Sequence, residues 1–330
     1  MKAVQILRFG GPEHFEFVDV PDPSPGPGEV LVDLRAIGVN YRDVTSRSGE
    51  FLPELTGKPM PPLPYVTGSE GAGIVSGIGE GVSEVRLGDR VAFHENDSRA
   101  YAEKAVVRAW RLVTLPDNLS FETGAAIMLQ GLTAEFLAHD CGNLKPGDIA
   151  LVHSAAGGTG LLLTQMLKRS GIRVIGTVST YDKAVLAKEF GADYAINYTD
   201  VDFSQDVLRL TEGVGVQVVY DAVGVDTFDQ GVASLATRGH MVMYGNASGP
   251  VVAIPASVFL YRSLTFVRAA VPDYTATRNE LMYRTERLFE WLSSGELRLH
   301  IHGTFPLKET AEAHRQLEGR LTSGKVLLIP

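Results

Sequence analysis

Between residues 149 and 244, short apolar runs alternate with helix-like stretches, and this alternation limits the possible folds more than any other feature. The runs are Ile149–Ser154, Arg173–Val178, Tyr194–Asn197, Val216–Asp221 and His240–Tyr244. They show little polar alternation, as expected of strands covered on both faces. Helix-like stretches fall between them at Gly158–Arg169, at Lys183–Phe190 (closed by Gly191) and at Phe203–Leu210. Strands spaced by helices build a parallel sheet with helices on both faces, so a doubly wound α/β domain is expected here.

The flanks read differently. The first 120 residues carry short strand-like runs (Val30–Ile37, Gly73–Ile78, Arg90–Phe93) between Pro/Gly clusters at 21–28 and 58–64, which suits a compact β-rich domain. Phe121–Cys141 reads as a helix leading into the α/β region. Past residue 265 come a helix over Arg278–Ser293 and strands at Ile301–Phe305 and Lys325–Ile329. The tail from Gly295 to Pro330 is too short to form a domain alone. The chain is therefore expected to return and complete the first domain: 1–120 plus 266–330 would form the β-rich domain, with 121–265 inserted as the nucleotide-binding domain.

Composition excludes several classes. With 45% hydrophobic and 21% charged residues, the chain is an ordinary globular one. No run of 18 apolar residues suggests a membrane span, and the N-terminus lacks a signal-peptide core. The net charge of −9, with no basic cluster, disfavours nucleic acid as a main partner. A single cysteine, Cys141, cannot form an internal disulfide and fits a cytoplasmic setting.

The chemistry centres on the turn after the first α/β strand. Ala155, Gly157 and Gly160 form Ala-x-Gly-x-x-Gly, a variant of the dinucleotide fingerprint, between an apolar strand and a helix. In such a turn Gly157 lets the backbone approach a pyrophosphate, and Gly160 lets helix and strand pack closely. The positive end of the following helix then faces the phosphates. NAD sites usually carry an acid at the end of the next strand, about 20 residues on, to hold the ribose 2′-hydroxyl. Here Ser179 and Thr180 end that strand and Lys183 follows, a set that can donate to a 2′-phosphate. Asp182 is expected in the first turn of a helix, where acids are favoured by the dipole. NADPH is the expected cofactor.

With these motifs in place, the sequence resembles the quinone oxidoreductase (zeta-crystallin-like) branch of the zinc-free medium-chain dehydrogenase/reductase superfamily. The resemblance runs through Gly38–Asp43, Gly68–Gly73, Gly131–Thr133, the glycine turn, Gly191–Asp193, Tyr244–Gly249 and His314–Lys325. It implies an α/β protein in which a GroES-like β-rich catalytic domain carries an inserted, doubly wound Rossmann domain, with the active site in the cleft between them. It further implies cofactor contacts. Gly157, Gly158, Thr159 and Gly160 would hold the pyrophosphate; Ser179, Lys183, Tyr198 and Arg320 would surround the 2′-phosphate and adenine. Asn40 and Thr133 would lie near the nicotinamide, with Tyr244, Gly245 and Ser248 farther along. Tyr41, as a hydrogen-bond donor, and Asn40, as an orienting group, are the expected catalytic residues; Phe51 and Leu129 are further substrate-side candidates.

No metal is expected. Zinc relatives place a Cys in the segment matching Asn40–Asp43 and a His before the Glu of the segment matching Gly68–Glu70. Here those segments offer Asn40 and Ser69, and one cysteine cannot build a four-cysteine lobe. His300 and His302 are two apart, but nothing nearby completes a site. A quinone suits a metal-free enzyme, because it is already electron-poor and its two-electron reduction restores aromaticity. NADPH-dependent quinone reduction is therefore the leading expectation. One alternative is reduction of the double bond of alkenals, enones or enoyl thioesters, for which Arg262 and Arg268 would provide cationic guidance. A second is an NADPH-binding structural or RNA-regulatory protein. The apolar run Ser263–Val267, if it edges the sheet, would pair with a second copy to form a homodimer.

Overall fold

A computed structural model describes residues 1–49, 60–199 and 201–330. The chain divides into two compact units: Met1–Leu129 with Thr277–Pro330, and Gln130–Ala276.

The first unit begins with β1 (Lys2–Ile6), β2 (Phe15–Asp19) and the long β3 (Glu29–Val39). Helix α1 (Tyr41–Ser48) follows β3 directly, and β4 (Tyr65–Val66), β5 (Glu70–Ile78), β6 (Arg90–His94), β7 (Lys104–Arg108) and β8 (Leu112–Thr114) complete its N-terminal part. Helix α2 (Phe121–Asp140) leads into the second unit, which holds β9 (Ile149–Val152), α3 (Gly158–Arg169), β10 (Arg173–Val178), α4 (Tyr181–Glu189) and β11 (Tyr194–Asn197). There follow α5 (Phe203–Leu210), β12 (Val216–Asp221), α6 (Phe228–Ala233), β13 (Leu235–Met243) and β14 (Thr265–Arg268). The chain then returns to the first unit as α7 (Arg278–Ser294), β15 (Ile301–Pro306), α8 (Thr310–Glu318) and β16 (Lys325–Ile329).

In the first unit, β15-β16-β3-β5-β6-β8 form one sheet with β7 also paired to β3, and β2-β1-β4 form a smaller one. Its core gathers buried Val32, Ile37, Phe93, Tyr101, Leu112 and Leu328. Strand β3 lies between β16 and β5. Its Ile37 faces Leu328 on one side and Gly71 on the other, and both pairings are antiparallel. This register brings the start of β16, the end of β3 and the start of β5 to one end of the sheet. Lys325 opens β16, Glu70 opens β5, and Asn40 directly follows β3.

The second unit is a six-stranded parallel sheet in the order β11-β10-β9-β12-β13-β14. Leu151, Ile175, Val219 and Met241 are in its core. This is the doubly wound α/β topology, with the chain reversing direction across the sheet at β9. Several strand boundaries differ from the sequence reading, β13 and β14 the most. β13 starts at Leu235 rather than His240, because its ladder with β12 carries a register shift between Val216 and Val218 that hides the periodicity. β14 covers 265–268 rather than 263–267, since Ser263 adopts a left-handed φ of 51° that ends any extended run before it.

Candidate active site

In the second unit, every strand points its C-terminal end to the same sheet edge. The glycine turn leaves β9 there, at the point where the strand order reverses, which is where ligands bind in open α/β sheets. Ser154 takes a left-handed φ of 55°, and Gly157 N donates to Ser154 O at 2.8 Å to close the turn. Helix α3 starts at Gly158 with no capping side chain among the described residues, which leaves the positive end of its first N–H groups uncovered by them. A side chain at Gly160 would put Cβ 2.3 Å from Ser154 O, against backbone that cannot turn aside. Gly158 faces Gln130, whose buried side-chain oxygen has no hydrogen-bond partner among the described residues. This cradle has the shape a pyrophosphate needs.

The neighbouring candidates sit on the same edge. Ser179 follows β10, and Lys183 lies half-buried in the first turn of α4, where Lys183 N donates to Thr180 Oγ1 at 3.3 Å. Asp182 also falls in that first turn. Tyr198 follows β11, its N–H donating to Val178 O at 3.1 Å. Tyr244, Gly245 and Ser248 fold against the turn after β12. Tyr244 N donates to Asp221 O at 2.9 Å, and Ser248 Oγ donates to Val223 O at 2.9 Å. A Cβ on Gly245 would lie 2.4 Å from Ala222 O. Asp221, which sequence reasoning missed, holds this corner. Its buried carboxylate accepts from Val223 N at 2.6 Å, Gly224 N at 3.1 Å and Thr227 Oγ1 at 2.8 Å. Thr133 is buried in α2. The structure thus brings the candidates from Gly157 to Ser248 to one edge of one sheet. Arg320 belongs to the other unit, exposed just past α8 with a left-handed φ of 57°.

Other polar residues of this unit are committed to packing. Cys141 is buried with Sγ 3.3 Å from Tyr274 OH, and buried His153 places Nδ1 2.7 Å from Thr177 Oγ1. Arg262 donates to the carbonyls of Val232 and Leu235 at 2.7 and 2.6 Å, which ties it to the end of α6.

The first unit contains a buried polar cluster at the sheet end described above. Asn40 opens α1: its backbone N–H donates to Asp43 Oδ2 at 3.0 Å, and α1 ends at Gly49, whose φ of 84° suits glycine. The Asn40 amide donates from Nδ2 to Glu70 Oε1 at 2.6 Å and accepts at Oδ1 from Lys325 Nζ at 2.8 Å. Lys325 also pairs with Glu70, whose second oxygen accepts from Leu129 N at 2.6 Å. Tyr41 follows, half-buried, as the first residue of α1. Beneath α1, Tyr101 OH donates to Asp43 Oδ2 at 3.1 Å and lies 2.9 Å from His314 Nε2. His94 Nδ1 donates to Ser69 O at 3.0 Å. Burial pushes the Asp43 carboxyl up to about 6, and burial also pulls His94 and His314 down to about 3, so both imidazoles are neutral near pH 7. Phe51 lies outside the described residues.

The sequence singled out Asn40 and Tyr41 but not the polar residues around them. A faint signal was present: Glu70 and Lys325 each open a strand and are followed directly by a run of apolar residues and glycines. Asn40 and Lys325, however, are 285 residues apart, and no local pattern links them.

Two family models match the chain: an alcohol dehydrogenase GroES-like domain over residues 26–144 and a zinc-binding dehydrogenase domain over residues 158–287. A quinone oxidoreductase of Pseudomonas aeruginosa is 40% identical over 330 residues, covering 100% of this chain and 99% of the relative. The chain belongs to the quinone oxidoreductase branch of the medium-chain dehydrogenase/reductase superfamily. A 2-haloacrylate reductase from Burkholderia is 38% identical, over 99% of this chain and 98% of its own. The crystal structure of Escherichia coli quinone oxidoreductase complexed with NADPH superposes with a TM-score of 0.95 at 36% identity, covering both chains fully. The family fold, a GroES-like domain with a Rossmann domain, is the one expected from the sequence. At the positions where zinc relatives carry ligands, Asn40 is bonded to Glu70 and Lys325, and Ser69 Oγ lies 3.5 Å from Asp43 Oδ1. His300 and His302 both turn to Ser323. Among the described residues, no group of three or more His, Cys, Asp or Glu is placed to hold a metal ion.

Proposed function

We propose that this chain is an NADPH-dependent quinone oxidoreductase that works without zinc. The observation that carries the reading is the sheet edge of the Rossmann unit. There a helix start without a side-chain cap follows a glycine turn with no room for side chains; Ser179 follows the next strand with no carboxylate at its tip, and Lys183 stands in the first turn of α4. Gly157–Gly160 bind the pyrophosphate through backbone N–H groups, while Ser179 and Lys183 bind the 2′-phosphate, with Tyr198 and Arg320 beside it. Thr133, Tyr244, Gly245 and Ser248 line the rest of the cofactor site. When bound, NADPH supplies the hydride. Asn40 and Tyr41 orient the acceptor, and a donated hydrogen bond to its carbonyl oxygen stabilises the charge that grows there as the ring is reduced. Full-length similarity to quinone oxidoreductases, one of them solved with NADPH, supports this reading.

The 2-haloacrylate reductase relative favours one second reading, reduction of an activated carbon–carbon double bond at the same site. An acceptor panel decides between them. Higher kcat/KM for naphthoquinone than for 2-chloroacrylate or an enone supports quinone reduction; the reverse order makes the chain a double-bond reductase.

The same reading makes the protein a cytoplasmic homodimer. Among the described residues no helix is long and apolar enough to cross a membrane. β14 is the last strand of its sheet, and Leu260 and Tyr261 beside it are 70% and 91% exposed, an edge suited to pairing with a second copy. Light scattering at twice the 35.6 kDa chain mass is expected; a monomer at micromolar concentration would reject the dimer. Cell fractionation checks the location.

A further inference from the structure

The buried ion pair of the GroES-like unit does more than fill space. Lys325 is 1% exposed and Glu70 0%, and between them they bond both polar ends of the Asn40 amide. We propose that Lys325, held by Glu70, is a positioning residue for the reaction: it locks the Asn40 amide in one orientation, leaving the second Nδ2 hydrogen as the donor to the acceptor's oxygen. This rests on the reading of Asn40 as a substrate-side group.

An asparagine amide is nearly symmetrical in shape, so turning it over exchanges acceptor for donor at almost no steric cost. Here the flip is blocked electrostatically. An ammonium can only donate and a carboxylate can only accept. The flipped amide would set its NH₂ against Lys325 Nζ and its oxygen against Glu70, replacing two charge-assisted bonds with two repulsions. The clamp is itself fixed. Glu70 Oε2 accepts from Leu129 N at 2.6 Å, and Lys325 opens β16, one residue before Val326 pairs with Val39. Room for the carboxylate depends on Gly38, where a Cβ would come within 2.1 Å of Glu70 Oε1. Buried ion pairs seldom stabilise a fold better than apolar residues of equal volume. Orientation of Asn40 gives this one a use that stability does not.

Lys325→Met keeps the side-chain length and removes the cation. Its kcat for quinone reduction is expected to fall about ten- to a hundredfold, as for a misplaced reacting group, while the NADPH Kd, read by nucleotide fluorescence, stays within about twofold. In an Asn40→Ala background the same substitution is expected to cost nothing further, because the group it positions is gone. A full loss in that background, or unchanged kcat in the single variant, overturns the proposal. If Lys325→Met does not fold, the Asn40 side-chain amide of the unaltered protein carries the test, its NMR signal assigned by its loss in Asn40→Ala. One Nδ2 proton should exchange slowly and the other should shift when a quinone is added; fast exchange of both overturns the clamp. If the unaltered protein reduces no quinone, the reading of function fails, and the exchange rates still report on the clamp.

Discussion

Acid is expected to unfold the GroES-like unit at a pH where most globular domains remain stable. His94 and His314 are both buried, and burial holds each near a pKa of about 3, against about 6.5 in an unfolded chain. A folded-state pKa below the unfolded one contributes stability that is complete above pH 6.5 and is lost as the pH falls toward 3. Every tenfold difference in proton affinity between the folded and unfolded chain is worth about 1.4 kcal/mol, so the two imidazoles together withdraw several kcal/mol across that window. Asp43 acts with the opposite sign. Its folded pKa of about 6 lies above its unfolded value, so its burial penalty applies above pH 6 and is relieved as the carboxyl protonates. Two losses outweigh one smaller gain. Thermal unfolding followed from pH 7.5 to 4 should show Tm dropping through this window, and His94→Asn, which can still donate to Ser69 O, should flatten the drop. A Tm that is level down to pH 4 would mean that these imidazoles are not held neutral by burial.

Lys183→Ala is expected to separate the two nicotinamide cofactors. Lys183 stands in the first turn of α4 beside Ser179, at a strand end without a carboxylate. Losing a charged hydrogen bond to the 2′-phosphate should cost about 1.5–3 kcal/mol, or roughly a ten- to hundredfold fall in kcat/KM with NADPH. With NADH, which lacks that phosphate, the change should stay within about twofold. Equal losses with both cofactors would remove Lys183 from the 2′-phosphate site.

The Rossmann unit was legible in the sequence because its central strands β9, β10 and β12 are buried on both faces and therefore appear as largely apolar runs. The glycine turn could be placed for the same reason: it sits between a clear strand and a clear helix. β13 was the exception, since a register shift and Gly239 break its run. The return of the chain into the first unit was readable from the shortness of the tail after Gly295. The polar cluster around Asn40 was not. Its members come from the ends of β3, β5 and β16, and only the antiparallel register of those strands, fixed by pairs such as Ile37 with Leu328 and with Gly71, brings them together. Asp221 was hidden in another way: a lone acid at a strand end signals nothing until the backbone N–H groups of Val223 and Gly224 turn back to meet it.

The most direct test of the central claim is anaerobic oxidation of NADPH, followed at 340 nm, by protein treated with a strong chelator and supplied with naphthoquinone. One NADPH should be consumed for each hydroquinone formed, at a rate that the chelator does not change and NADH does not match. Tight NADPH binding with no quinone-dependent oxidation, or a rate that vanishes on chelation and returns with zinc, would contradict that claim.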